Sequence, residues 1–512
     1  VLHRIQSLSL GGASSAAIEL AKYSTKLNPD LSHSITSLNP AHEDPNAVQL
    51  ATSEGMTVLR PQNMEELRSL ILHHDIVQIN WWNCPEMSTL FQSGIPDSRL
   101  VVWAHVGGHQ APQMISRELC DFTDAMIACS PYTRDCPAMQ SIGKDKITGV
   151  VYGAADFARL DGLAKRAHSG CNVGYIGTVH FLKMHPNYVK MSAAVRDPEI
   201  HFTVCGSGGA EEILKAQAKE IGAENRFNIR GYVEDIKSAI EGFDIYGYPL
   251  CEDTYAASEV NLQEVMYAGV PPVVFPYGGV QKLVVDNFTG LIVKSEREYS
   301  EAIEYLWKNP SERQRIGRNA KLYAEQIFGS ENAAKEMNHV YSELMQSNKR
   351  SRKWGYSGNS LDNRFVGVRN LLWPNRELNG AELFIESLGN YTEDFLISFR
   401  EQDISQVVEA ELRISRKSEL MKSGGVRPYA RYFRNDPHLA LWCGLLECAQ
   451  GEVQSSIEWF VSALNNGLNT WRVMAYLAIA AERAGQTSLA ESLRGNLQKI
   501  AAHIPAASQI TL

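Results

Sequence analysis

The sequence predicts an α/β chain, with two tandem Rossmann-like domains facing a cleft and an all-α C-terminal region after them. Three observations carry this. Short apolar, β-branched runs alternate with stretches of helical spacing from Val1 to about Phe328, which implies a mostly parallel sheet in each half. Glycine-rich turns close several of those runs, Gly11-Gly12 and Gly206-Ser-Gly-Gly209 among them. From Leu439 the pattern changes to helix pairs, with Gly451 and Gly485 34 residues apart, the tetratricopeptide period.

Composition bounds the function. The 512 residues suffice for about three domains. A net charge of −9 argues against nucleic acid as a partner, because such binders show a basic stripe. No run of 18 apolar residues occurs, so no membrane-spanning helix is expected, and VLHRIQSLSLGG does not read as a signal peptide. The nine scattered cysteines read as small hydrophobes in a reducing compartment, so the expected location is cytoplasmic. No Cys/His group has zinc spacing and no Asp-x-Asp occurs, so no metal site is expected.

In order along the chain, Val1–Leu10 reads as a strand, Gly11-Gly12 as a turn and Ala16–Tyr23 as a helix. That local shape serves phosphate binding. Ile76–Trp82 is a strand ending in Trp81 and Trp82, rings suited to a sugar's apolar face. Leu100–Ala104 is the next, followed by His105-Val-Gly-Gly-His109. Ligands in open α/β sheets collect beyond strand carboxyl ends, so both histidines are well placed. Met126–Ser130 and Lys146–Val151 complete the first domain, 1–165.

The second domain, 166–330, has expected strands at Asn172–Ile176, Ile200–Cys205, Phe227–Gly231, Asp244–Tyr248, Val270–Phe275 and Leu291–Val293. Pro186 is expected in the first turn of a helix reaching Val195. Helices are expected at Glu211–Ile221, Ile236–Gly242, Tyr299–Trp307 and Ser311–Phe328. The stretch Tyr246–Gly279 is the most informative. Ser258 is expected to cap a short helix whose N-terminal amides face open space, a place attractive to phosphate. Gly269 stops that helix. Glu264 lies more than one turn inside it and, if buried, needs a partner, protein or ligand.

Glu331–Met345 reads as a closing helix, within 331–348. Asn348–Trp354 is a basic linker, either solvated or touching an anionic membrane surface at about 1 kcal/mol per charge. The segment 349–420 reads as a linker and an irregular helical segment, and Phe365–Met421 shows helical patches without a defined fold. Residues 421–505 read as tetratricopeptide-like helices with Trp442, Trp459, Phe460 and Trp471 in their core. That array serves either as a stabilising cap or as a surface for a protein partner or self-association.

Taken in order, Gly11-Gly12, INWWNCP, His105, CSPYT, VVYGAAD, YIGTVHFLK, VCGSGG, RGYVED and LQEVMYAGVPPVVFPYGG resemble the retaining glycosyltransferases of the GT-B fold, family 4, over about Val1–Leu344. Within that family the chain is most similar to polysaccharide-building members such as cyanobacterial exopolysaccharide transferases. The resemblance implies a nucleotide-sugar donor, UDP-glucose or UDP-galactose preferred, held by the second domain without a metal or cofactor. It implies a saccharide or lipid-linked saccharide acceptor held by the first, and transfer with retention. The cysteine usage sets the expected location as cytoplasmic, with the basic linker leaving contact at the membrane's inner face open. Lys183 matches the family's diphosphate lysine, and Glu264 its ribose-binding glutamate. Tyr232 and Val233, after Gly231, fall where the base is contacted, and His105 matches a histidine near the transferred sugar. Two positions depart: Thr178 replaces an arginine and Ala256 a glutamate. His180 or His185 is left to compensate for the first, and Glu252, Asp253, Glu259 or backbone N–H groups for the second. The expected catalytic set is therefore His105, Lys183 and Glu259. Donor binding is expected from these last two with Gly11, Gly12, Thr178, Gly206, Gly231, Tyr232, Val233, Ser258, Val260, Asn261, Leu262 and Glu264. Acceptor binding is expected from Trp81, Trp82, His105 and His109. Two other readings stay open: a catalytically weak GT-B protein working through its helical repeats, and a nucleotide-sugar epimerase or phosphorylase on the same fold.

Overall fold

The computed structural model describes residues 1–352, 354, 380–388, 404–416 and 424–500, so most of Phe365–Met421 and the end of 421–505 lie outside the described residues. The chain forms two compact units. Val1–Trp81, Ile95–Gln110 and Cys120–Arg352 make the first; Trp82–Gly94, Ala111–Leu119 and the residues after Arg352 make the second.

The first unit holds two parallel sheets. In the first sheet the strands are β1 (Leu2–Ile5), β2 (Ser34–Ser37), β3 (Thr57–Val58), β4 (Val77–Trp81), β5 (Leu100–Ala104), β6 (Ala125–Ala128) and β7 (Ile147–Val150), in the order β3-β2-β1-β4-β5-β6-β7. In the second they are β8 (Cys171–Ile176), β9 (Ile200–Cys205), β10 (Phe227–Gly231), β11 (Ile245–Tyr248), β12 (Pro272–Val274) and β13 (Leu291–Ile292), in the order β10-β9-β8-β11-β12-β13. In each sheet the order reverses once, between β1 and β4 and between β8 and β11. Ligands gather at such points.

β1 is shorter than expected. Beyond Ile5 the chain leaves the ladder, and the Leu8 amide donates to Ser37 Oγ at 3.1 Å. β1 is also polar, which a buried strand tolerates only when its groups are paired. His3 Nε2 meets His33 Nδ1 at 2.8 Å, His33 Nε2 meets Ser24 Oγ at 3.0 Å, and Ser24 donates to Asn338 Oδ1 at 2.5 Å. Tyr341 adds a 2.5 Å bond to Gln78. This seam ties the helices Gly12–Leu27 and Ser330–Met345 to the first sheet, so the closing helix packs on the first domain although it follows the second. The chain crosses between the domains twice, side by side: Ser330 N and Oγ both donate to Ala155 O, at 3.0 and 2.9 Å.

In the second sheet, glycines make room for rings. A Cβ on Gly174 would lie 2.3 Å from Phe243, and one on Gly247 2.3 Å from Tyr299. Gly269, at φ 75°, ends the helix Val260–Tyr267 as expected. The helix expected from Pro186 starts at Tyr188 instead, after a turn in which Tyr188 N donates to His185 O at 3.0 Å. Two helices between Leu38 and His74 carry their own start signals. Asp44 accepts from Asn46 N at 2.8 Å, and Asn63 from Glu66 N at 2.9 Å.

The basic stretch after Asn348 is no solvated linker. Lys349 Nζ donates to Leu72 O at 2.7 Å, Arg350 Nε bonds Asp124 Oδ1 at 2.5 Å, and the buried Arg352 also pairs with Asp124. Among the described residues, no helix is long and apolar enough to cross a membrane, and the nine cysteines are free and buried.

In the second unit, Pro437–Ala449 and Val453–Asn465 form one helix pair, and Trp471–Arg483 and Thr487–Ile500 the next, repeating at the spacing of Gly451 and Gly485. Both glycines take positive φ, 82° and 72°, at corresponding turns. Trp442, Phe460 and Trp471 are buried, while Trp459 is half-buried against that core. Glu411, fully enclosed, is held by Arg472 at 3.1 Å and Tyr476 at 2.5 Å.

Gly206 follows β9 at φ 133°, where a Cβ would lie 1.8 Å from Gly177 O. Gly206→Ala is therefore expected to destabilise the first unit by about 3 kcal/mol, read as a lowered urea midpoint, because backbone cannot yield there.

Candidate active site

A cavity of about 550 Å³ opens over both reversal points. Gly11 and Gly12 after β1 line one side; Gly177 and Thr178 after β8, Gly206 after β9, and Tyr232 and Val233 after β10 line the other. Gly12 leaves that wall bare, since a Cβ there meets nothing within 4 Å. The first turn of the helix Val260–Tyr267 reaches the same space through Val260 and Asn261. The Leu262 and Gln263 amides already donate to Glu259 O, at 3.0 and 3.2 Å. Those of Val260 and Asn261 precede the first intrahelical bond, so they are the free donors of this helix end.

The expected cap is corrected. Glu259, not Ser258, is the N-cap residue, and its backbone is left-handed at φ 42°, ψ 68°. Ser258 Oγ instead accepts from Gly153 N at 2.6 Å and from Gln263 Nε2 at 3.0 Å, joining the first domain's last strand loop to the second domain. A non-glycine residue rarely adopts a left-handed backbone without compensation. Here the Glu259 carboxylate bonds Lys183 Nζ at 3.0 Å and accepts from Tyr248 OH. Burial opposes the Lys183 charge, but Glu259 and Tyr255 together outweigh it, so the ammonium stays above the ordinary lysine value.

Glu264 is 1% exposed. Arg159 Nη2 holds its Oε2 at 2.5 Å, while Oε1 has no partner among the described residues. Burial pushes the carboxyl up to about 7, against the pull of Arg159 and with a further rise from Asp156. Arg159 went unread in the sequence. It sits in a single helical turn, Ala158–Leu160, just after the VVYGAAD motif, and the one signal was that a buried Glu264 needs a partner.

Of the expected donor set, Gly11, Gly12, Thr178, Lys183, Gly206, Tyr232, Val233, Glu259, Val260, Asn261 and Glu264 line the cavity. Ser258, Leu262 and Gly231 do not: Leu262 is wholly buried in the core, and Gly231 sets the turn before Tyr232 at φ 70°. The expected stand-ins for the missing arginine are corrected. His180 Nδ1 accepts from Leu182 N at 3.2 Å, His185 stacks on Phe275 at 5.2 Å, and neither lines the cavity. Arg159 and Lys183 are the cavity's basic side chains. Ala256, 1% exposed, is packed under Gly278 and Gly279. Of the three proposed replacements for a carboxylate there, Glu259 lines the cavity and Glu252 and Asp253 do not.

Trp81, His105 and His109 do not line this cavity, although the loop that carries both histidines meets the second domain through Gly107 N, which donates to Tyr255 O at 3.2 Å. Trp81 is buried in β4, and Trp82 belongs to the second unit, where it is half-buried. His105 lies against Trp103 with ring centres 4.4 Å apart and meets Asn80 Oδ1 at 3.3 Å; burial pushes its pKa down to about 3. His109 Nε2 meets Tyr132 O at 2.9 Å. His105 is therefore neutral at ordinary pH, which limits it to hydrogen bonding.

The two facing Rossmann-like domains with a cavity over both reversal points define the GT-B fold. Residues 144–323 match the family described as Glycosyl transferases group 1. In sequence the chain is similar to the alpha-D-kanosaminyltransferase of Streptomyces kanamyceticus, 26% identical over 39% of this chain and 55% of that one. It is also similar to the D-inositol 3-phosphate glycosyltransferase of Corynebacterium aurimucosum, 23% identical over 54% of this chain and 74% of that one. The match to the kanosaminyltransferase thus spans about half of that relative's length. In structure it is similar to Anabaena HepE in complex with UDP, at TM-score 0.55 and 18% identity over 67% of this chain and 99% of that one.

The buried pair makes a stability prediction. A carboxyl raised from 4.5 to about 7 on folding favours the folded state below pH 4.5, and that contribution is lost as pH rises through 7. Glu264→Gln removes this dependence. Relative to wild type, the variant is expected to gain about 1–3 kcal/mol on going from pH 5 to pH 8 in paired urea titrations.

Proposed function

We propose that the protein transfers a hexose from a UDP-sugar, UDP-glucose or UDP-galactose, to a polysaccharide or lipid-linked oligosaccharide, with retention of anomeric configuration. The observation that carries this is the joint placing, in one cavity, of free helix-end amides, Lys183 and a buried carboxylate with a free oxygen. The HepE structures with UDP and with UDP-glucose support the choice of nucleotide. Retention and exopolysaccharide synthesis rest on the family resemblance.

In this reading the Val260 and Asn261 amides and Lys183 receive the charge that grows on the diphosphate as the sugar leaves. Donors already in place stabilise such charge without reorganisation. Glu264 Oε1 accepts a ribose hydroxyl, and the backbone at Tyr232 and Val233 faces the base. Glu259 serves where the family has a carboxylate at position 256. It also holds Lys183 until the diphosphate arrives. His105, His109, Trp81 and Trp82 remain the proposed acceptor side, with His105 as a neutral hydrogen-bonding group. Reaction without a metal fits the arrangement, because two helix ends and a lysine supply the positive field. The helix pairs after Pro437 are proposed to be tetratricopeptide-like and to bind a protein partner or a second copy. The proposed location is cytoplasmic, peripheral to the inner face of the membrane.

Lys183→Ala is expected to weaken UDP binding about tenfold in calorimetry and to lower transfer from radiolabelled UDP-glucose about a hundredfold. A wild-type protein that binds neither UDP-glucose nor UDP-galactose nor GDP-mannose would remove the donor assignment.

Glu264 must be ionised to accept a hydroxyl bond at full strength, and its carboxyl titrates at about 7. UDP affinity is therefore expected to fall several-fold from pH 8 to pH 6, and Glu264→Gln to make that profile shallower.

A further inference from the structure

Ribose presents two neighbouring hydroxyls. Arg159 engages Oε2 of Glu264, and Oε1 is the oxygen left without a partner among the described residues. A second carboxylate on the cavity wall lets the two hydroxyls be accepted separately.

The helix Gly12–Leu27 supplies a candidate that the family motifs do not mark. Gly12, Ser15, Ala16 and Glu19 lie along one face of it and line the cavity. Glu19 is 7% exposed, and its Oε2 has no partner among the described residues. Its other oxygen makes only a long contact with Lys22, 3.7 Å, and Lys22 is drawn away to Glu54 at 3.1 Å. A buried carboxylate oxygen with nothing to accept from is costly unless a ligand satisfies it. Glu19 and Glu264 line the same cavity, one from each Rossmann-like domain. Each stands back from a helix N-terminus facing that cavity, Glu19 by about 10 Å along its helix and Glu264 by about 6 Å. Amides toward the phosphates and carboxylates further in match the polarity of a nucleoside diphosphate, acidic at one end and hydroxylated beyond.

We infer that Glu19 is a second ribose-binding residue, so that the two hydroxyls are taken by carboxylates from the two Rossmann-like domains, Glu19 from the first and Glu264 from the second. This rests on the proposed nucleotide-sugar site and deepens it. Nucleoside binding then requires both domains, and a nucleotide lacking either hydroxyl loses the contribution of one of them.

The test is calorimetry on the full chain with UDP, 2′-deoxy-UDP, 3′-deoxy-UDP and pyrophosphate, for wild type, Glu19→Gln and Glu264→Gln. Wild type is expected to bind each deoxynucleotide about tenfold more weakly than UDP. Glu19→Gln is expected to weaken UDP about tenfold. It should change one deoxynucleotide less than twofold, with Glu264→Gln sparing the other, and leave pyrophosphate untouched. Glu19→Gln binding UDP like wild type, or losing UDP and both deoxynucleotides equally, overturns the inference and leaves the donor site standing. Wild type binding both deoxynucleotides as tightly as UDP overturns it without any variant. Wild type binding pyrophosphate but neither UDP nor GDP overturns the nucleotide-sugar reading, and this inference with it.

Discussion

A carboxylate buried inside a helix has to be held, and Arg159 holds only half of Glu264. The surrounding architecture follows from that pairing. Arg159 comes from the segment that links the two Rossmann-like domains, so the ion pair fixes the linker against the helix that faces the cavity. The remaining oxygen stays unsatisfied at low dielectric, where a hydroxyl donor is worth most. A fully paired glutamate would be more comfortable and would bind nothing.

A second tension lies one turn earlier. The left-handed backbone of Glu259 costs on the order of 1–3 kcal/mol by itself. It is held by Tyr248 and Lys183, and the neighbouring Ser258 takes Gly153 N from the other domain. The strained residue, the cavity's lysine and an interdomain hydrogen bond are therefore one connected arrangement. Because Lys183 is engaged by Glu259, its charge is kept in place without being fully committed, and an incoming anion meets a lysine already positioned.

The architecture was legible because its strongest signals are local. β9 and β10 coincide with the expected runs, and the helix from Val260 ends at the expected Gly269. The 34-residue spacing of Gly451 and Gly485 recurs as matching helix pairs. Errors arose where long-range contacts overrule local pattern. Ser258 has cap chemistry, yet Gly153, far away in sequence, claims its hydroxyl. The basic run after Asn348 looks solvated until Asp124 gathers two of its arginines. The site was half legible. Lys183 and Glu264 could be placed from motif order, but Arg159 and Glu19 lie where a charged residue ordinarily faces water, and only the fold turns them inward.

The paired crossings at Ala155 and Ser330 have a mechanical consequence. Two domains joined by one strand of chain can twist, slide and separate. Joined by two strands bonded to each other at one place, they can pivot about that place but not slide past it. The closing helix, anchored on the first sheet through Asn338 and Tyr341, keeps the second strand from paying out. Rotation about that place is therefore the motion between the domains to expect, and it would displace the cavity wall near Ala154 and Asp156, close to the crossing, least.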